Sequence, residues 1–195
     1  LAMPNTDYST WGFWAMSSID FSPNAGSQNV SVHLAPWVAG QLLSVSDIPT
    51  SGTATMSGSA IMSTAFRHNQ SGSIYDVHKY ISNGSVQVQF NWDAGGNYTG
   101  TFSLSDYDET NPIAISAGIT NFNFNITGSG VSYSGNKTSF NNGWGGSVTA
   151  QGLLYGGNSP DESGGRMNVS LSKTGDINTS GANDFYFAEG IFLVD

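Results

Sequence analysis

The sequence predicts an all-β fold: an antiparallel up-and-down β-barrel of about eight strands, with additional short strands and no long helix. Three observations predict it. The stretch from Asn142 to Ser172 reads as two long strands joined by a Gly-rich loop. In its first arm Trp144, Gly146, Val148, Ala150, Gly152 and Leu154 alternate with Ser147, Thr149 and Gln151, and in its second Met167, Val169 and Leu171 alternate with Asn168, Ser170 and Ser172. The same period of two recurs from Gly52 to Thr127, which places apolar side chains on one sheet face and polar ones on the other. Finally, Gly- and Asn-rich turn signals punctuate these runs, while no stretch carries a convincing helical period.

Taken in order, Tyr8–Ser17 is an aromatic first strand expected to bend at Gly12, and Asn24 to Ser27 is a turn. Val30–Leu34 is a short strand, and Ala35–Ile48 reads equally as a loop or a single helical turn, because Pro36 stands near its start. In the next strand Ala54, Met56, Gly58, Ala60 and Met62 share a face, and small residues there imply a crowded, coiling wall. Ile74–Tyr80 follows, and Asn83-Gly84 is a strong hairpin signal that separates it from Ser85–Asp93. Val86, Val88, Phe90 and Trp92 then face inward and, across the Gly95-Gly96-Asn97 turn, oppose Tyr98, Phe102 and Leu104. Asp106–Pro112 is a polar loop, Ile119–Thr127 puts Phe122, Phe124 and Ile126 on one face, and short pieces surround Tyr133 and Phe140. Asp184–Val194 closes the chain. One domain of 195 residues accommodates all of this, with N-terminal strands and an irregular segment over 1–50 and the barrel core over 51–195.

Composition limits the function classes. Fourteen acidic residues against five basic ones give a formal charge of −9, and Arg67, Lys79, Lys137, Arg166 and Lys173 are scattered, so no basic stripe exists to hold a nucleic acid. Only 10% of residues are charged, and a surface built from Ser, Thr, Asn and Gln fits an extracellular or cell-surface setting. Cysteine is absent, which removes disulfides, thiolate metal sites, thiol catalysis and a lipidated-Cys anchor within this sequence. No secretory leader opens the chain and no apolar run is long enough to span a bilayer as a helix, so membrane association is expected only through an anchor outside it.

Candidate chemistry is sparse. His33, His68 and His78 are the only imidazoles, and none is spaced with a second ligand as zinc sites require; His68 and His78 are the two weighed for haem or metal, against ordinary surface positions. Asp106, Asp108 and Glu109 form the densest carboxylate cluster, a calcium candidate weighed against a solvated turn, since the Gly and distal Glu of an EF-hand loop are missing. No G-x-S-x-G elbow occurs and no carboxylate pair stands out, so the chain is expected not to be an enzyme. Eight N-x-S/T sequons occur, as an Asn-, Ser- and Thr-rich chain produces by composition. Trp92 and Trp144 point inward by alternation. Trp11, Trp14 and Trp37 fall near strand ends or loops and are the expected binding aromatics.

Three stretches carry a resemblance: Trp37–Gly40 followed by Ile48-Pro49-Thr50-Ser51-Gly52-Thr53-Ala54-Thr55-Met56-Ser57-Gly58; Gly143 through Tyr155-Gly156; and Glu162-Ser163-Gly164-Gly165-Arg166-Met167. They are similar to the β-barrel domain of the transferrin-binding-protein-B-like surface lipoproteins of Gram-negative bacteria, whose pattern is a Ser-Gly-x-Ala-x-aromatic-x-Gly strand and then a Tyr-Gly turn followed by Glu and Gly-Gly. Met56 stands where that pattern has an aromatic, and Gly157-Asn158-Ser159-Pro160 replaces a shorter loop. The resemblance implies an eight-stranded barrel serving as a binding module that meets a host protein or an iron- or haem-type ligand through its loops. It also implies a structural role for Glu162, accepting backbone N–H groups across the Gly-rich turn. The alternatives are a structural module of a larger adhesin, fibre or sensor protein, and a small-ligand carrier barrel. A binding module predicts clustered exposed aromatics with a pocket or apolar patch; a structural one predicts a filled barrel and evenly polar loops.

Overall fold

The computed structural model describes residues 3–4, 6–21, 28–70, 74–173 and 184–195, with side chains described outside 15–34 and 68–76. Strands β1 (Ser9–Phe21) and β2 (Gln28–Gly40) pair as a two-stranded antiparallel ribbon. A 3₁₀ turn over Val45–Asp47 leads into β3 (Gly52–Gln70), β4 (Ile74–Trp92), β5 (Asn97–Ser105), β6 (Phe122–Ser129), β7 (Ser132–Lys137), β8 (Trp144–Tyr155), β9 (Glu162–Lys173) and β10 (Asp184–Val194). Each of these eight pairs antiparallel with its sequence neighbour, and β10 pairs with β3 to close an up-and-down barrel. Closure leaves no open edge in the barrel, which replaces the covalent staples that a chain without cysteine lacks.

The alternating pattern fills the barrel as expected. Val88, Phe90, Phe102, Phe124, Val148, Met167, Val169 and Phe192 belong to one continuous buried cluster. Phe102 stacks on Phe124 at 5.2 Å between ring centroids and meets Phe192 edge-on at 5.0 Å, while Phe90 lies against Tyr133 at 5.2 Å. Each such ring contributes roughly 1.5–3 kcal/mol through burial alone, and together they make the barrel interior a packed core. Outside, Gln87, Gln89, Asn91, Asn123 and Asn125 are exposed, where a membrane barrel carries an apolar band.

Three expectations change. Asn83-Gly84 is not a turn: β4 runs straight through it, with Asn83 opposite Ile61 and Gly84 opposite Ala60. Gly84 serves packing there, since a Cβ would sit 3.0 Å from both the Ser105 carbonyl oxygen and the Tyr107 Cβ. Pairing of β1 with β2 runs without a break on both sides of Gly12. The segment after Pro36 is neither loop nor helix until Gly40, because β2 extends through it. The polar loop after β5 leads into a short helix, α1 (Pro112–Ala117), that the alternation did not predict. Its N-terminus is capped by Asn111, whose Oδ1 accepts from the Ile113 N–H at 2.9 Å, and Ile113, Ala114 and Ala117 are buried among the barrel-core residues.

Candidate functional site

The β1–β2 ribbon lies against the outside of the barrel, and the space beside it is the candidate site. One ribbon face carries Trp11 and Val38, which pack with Ile61, Ile191 and Leu193 of the barrel wall and with Met3, which precedes the ribbon. The other carries Trp14 and Trp37, 6.5 Å apart between ring centroids. Gly12 makes that face possible, since a Cβ there would fall 2.7 Å from the Trp37 ring.

The ribbon is fastened at its root by Glu162, the first residue of β9, which is only 3% exposed. Its Oε1 accepts from the Asp7 and Tyr8 backbone N–H groups at 2.5 and 2.9 Å, and its Oε2 accepts from the Ser9 hydroxyl at 2.6 Å. The expectation that Glu162 accepts backbone N–H groups holds for the acceptor and is corrected for the donors, which come from the segment leading into β1. A buried carboxylate that satisfies three donors near the start of a strand fixes where that strand leaves the barrel. Beyond β2 the chain is tied to the wall again, with the Leu43 N–H donating to the Leu154 carbonyl at 3.1 Å and the Gly156 N–H to the Gln41 carbonyl at 3.2 Å.

Between β2 and the outer wall runs a groove of about 880 Å³. Pro36 and Val38 border it on the ribbon side; Ser132 and Ser134 from β7, Gln151 from β8 and Arg166 from β9 line its floor. The Arg166 Nε and Nη2 both donate to the Gln151 Oε1, at 2.8 and 2.5 Å, which holds the guanidinium against the wall. Among the described residues of the lining Arg166 is the only charged one, and the other ionisable groups there are Tyr133 and Tyr155. Burial pushes both phenols above their ordinary value, so neither is a proton acceptor near neutral pH.

The predicted site residues scatter. Trp11, Trp14 and Trp37 lie within the ribbon strands and not in loops at a barrel end. Trp11 is half-buried against the wall, Trp14 is 72% exposed, and Trp37 borders the groove. Trp92 and Trp144 are buried in the core as alternation required. His78 is exposed on β4 and stacks on Phe66 at 4.7 Å; the side chain of His68 lies outside the described residues. Asp106 and Glu109 are exposed. Asp108 turns inward, where its Oδ2 accepts from the Tyr186 hydroxyl at 2.7 Å and from the Tyr80 hydroxyl. The three carboxylates therefore do not form a shared ligand set, and among the described residues no group of three His, Cys, Asp or Glu side chains is placed to hold a metal ion.

Asp108 instead ends a hydroxyl network at one end of the barrel. Tyr186 and Tyr107 oxygens are 2.9 Å apart, the Ser82 hydroxyl donates to Tyr107 at 3.1 Å, and the Asn111 Nδ2 donates to Tyr80 at 2.6 Å. Burial, with the nearby Asp108 charge adding to it, raises the phenols of Tyr80, Tyr107 and Tyr186. Sequence reasoning missed this network and the groove. Tyrosine at inward positions of otherwise aliphatic and Phe-rich strands was the signal for the first. The second had none, since Gln151 and Arg166 are ordinary outward residues until the ribbon is laid beside them. Set against protein-family models and curated proteins, the chain matches none.

Proposed function

We propose that the protein is a non-catalytic binding module of the cell surface or extracellular space, and that its ligand lies in the groove between β2 and the outer barrel wall. The observation that carries the reading is the pairing of a filled barrel with an external groove of about 880 Å³, within the size range of ligand sites. The groove is bordered by a ribbon that also presents Phe13 and Trp14, 39% and 72% exposed. A carrier barrel needs a hollow interior, and here the interior is closed by Phe90, Phe102 and Phe192. A purely structural module needs neither the groove nor the exposed aromatics of the ribbon. The polar outer wall and the scarcity of charge support the extracellular placement. The transferrin-binding-protein-B-like motifs support a protein partner, and the described residues of the groove lining include no histidine to offer a haem iron.

The test is amide chemical-shift mapping of the labelled chain against haemin, galacturonate oligomers and a random capped octapeptide pool. Binding is expected to move the resonances of Val38, Ser132, Ser134 and Gln151, and Ser132→Trp, which fills the groove, is expected to abolish those shifts. If all three probes leave the groove unmoved in the folded protein, the binding reading fails and the structural-module reading replaces it.

A further inference from the structure

We infer that the groove takes an extended, carboxylate-bearing peptide segment of a partner protein, which adds as a third strand to the open edge of β2; the inference rests on the binding reading above. The ribbon has two strands, and β2 pairs with β1 on one side only. The Gln41 N–H donates to the Tyr8 carbonyl at 2.8 Å, and the register places Gly40 opposite Ser9. In an antiparallel ladder, hydrogen-bonded and non-bonded positions alternate. Ala39 and Trp37 therefore direct their backbone groups to β1, whereas Pro36 and Val38 direct theirs away from it. Pro36 agrees with this phase, since proline has no N–H and is tolerated where the ladder faces outward. The groove is bordered by these same residues. It thus offers the Pro36 carbonyl, the Val38 N–H and the Val38 carbonyl, the donors and acceptors that strand addition uses.

The floor selects the occupant. Ser132, Ser134, Gln151 and Arg166 stand on the outer wall where alternate side chains of an added strand would reach it. Arg166 supplies the only charge among the described residues of the lining, a cation on a chain of net charge −9. Two of its nitrogens are committed to Gln151 and its Nη1 has no hydrogen-bond acceptor among the described residues. Held in this orientation, the guanidinium favours a carboxylate. A saccharide would use the hydroxyl and amide floor and ignore the β2 edge. A peptide uses both.

The experiment titrates the labelled chain with two capped octapeptide pools, random except for one central position fixed as Glu in the first and Lys in the second. The Glu pool is expected to shift the Val38 amide and the Arg166 Nε, and the Lys pool to leave them in place. For a single binding peptide drawn from the Glu pool, N-methylation of alternate backbone amides and the Val38→Pro substitution are each expected to weaken binding about tenfold or more; Arg166→Gln is expected to weaken it about five- to tenfold. Arg166→Gln alters an exposed side chain, so it keeps the test decisive if Val38→Pro perturbs folding. Equal binding of the N-methylated peptide, or equal response to both pools, overturns the inference. Groove shifts with galacturonate or haemin but with neither peptide pool overturn it too while leaving the binding module standing; silence from every probe removes both.

Discussion

Glu162 and Ser9, 153 positions apart in sequence, meet in a buried hydrogen bond of 2.6 Å between the carboxylate and the hydroxyl. Through this contact and the two backbone N–H bonds beside it, the first strand of the barrel's last hairpin holds the ribbon that builds the groove. Glu162→Gln keeps the volume but turns an amide N–H toward donors that need an acceptor. The expected cost is about 2–4 kcal/mol. Urea unfolding measures it, and hydrogen exchange locates it: the Tyr8 and Gln41 amides should lose protection before those of β4 and β8. Unchanged protection at Tyr8 would show that the ribbon is held some other way.

Gly152 faces Tyr133 so closely that a Cβ would stand 2.2 Å from the phenol ring. Gly152→Ala is expected to destabilise by about 1–3 kcal/mol, the usual cost of forced overpacking. Gly145 lies on the same strand, where a Cβ would meet only the Ser172 carbonyl oxygen, at 4.0 Å. Gly145→Ala should change stability by no more than about 0.5 kcal/mol. Thermal melts of the two variants compared with the parent chain separate packing from any general effect of β8.

Asp108 combines a positive φ of 47° with its role as acceptor for Tyr80 and Tyr186. Asparagine tolerates that backbone region better than alanine, so the two substitutions separate the causes. Asp108→Asn should cost about 1–3 kcal/mol by weakening the acceptor. Asp108→Ala should cost about 1 kcal/mol more, for the backbone strain added to the lost acceptor. Equal losses in chemical denaturation would show that the strained backbone contributes nothing measurable.

Six tyrosines, at 80, 98, 107, 133, 155 and 186, have phenols raised above the ordinary value of 10.0, with burial as the leading cause. A raised folded-state value means that the folded chain holds these protons after the unfolded chain has released them. Their contribution is therefore intact below pH ~10 and is lost as pH rises toward the folded values, at up to about 1.4 kcal/mol per pH unit for each fully buried phenol. The tyrosinate absorbance of these six should stay low until the near-ultraviolet circular dichroism collapses, and then rise in the same transition. A smooth titration of most tyrosines in a still-folded protein would contradict the buried network.

Trp14 and Trp11 lie on opposite faces of the ribbon and should respond oppositely to truncation. Trp14→Ser, at a 72% exposed position, is expected to leave stability within about 0.5 kcal/mol. Trp11→Ala removes a ring packed against Leu193, Ile191 and Met3 and should cost about 1–3 kcal/mol. Denaturation midpoints of the two variants check the assignment of faces.

The barrel was legible in the alternation of its strands. Strict alternation through Val86–Trp92, Tyr98–Leu104, Phe122–Ile126 and Trp144–Leu154 fixes which side chains are buried, because in a strand a residue's facing follows from parity alone. It failed at Asn83-Gly84, where a local turn preference yields to the nineteen-residue pairing of β4 with β3. The groove, by contrast, depends on tertiary placement. Parity says that Gln151 and Arg166 face outward but not what stands beside them, and it says nothing of which unpaired edge the Glu162 contact brings near. A groove between two sheets is a property of their relative placement, set by contacts more than a hundred residues apart, as between Asp7 or Ser9 and Glu162, and no local pattern encodes it.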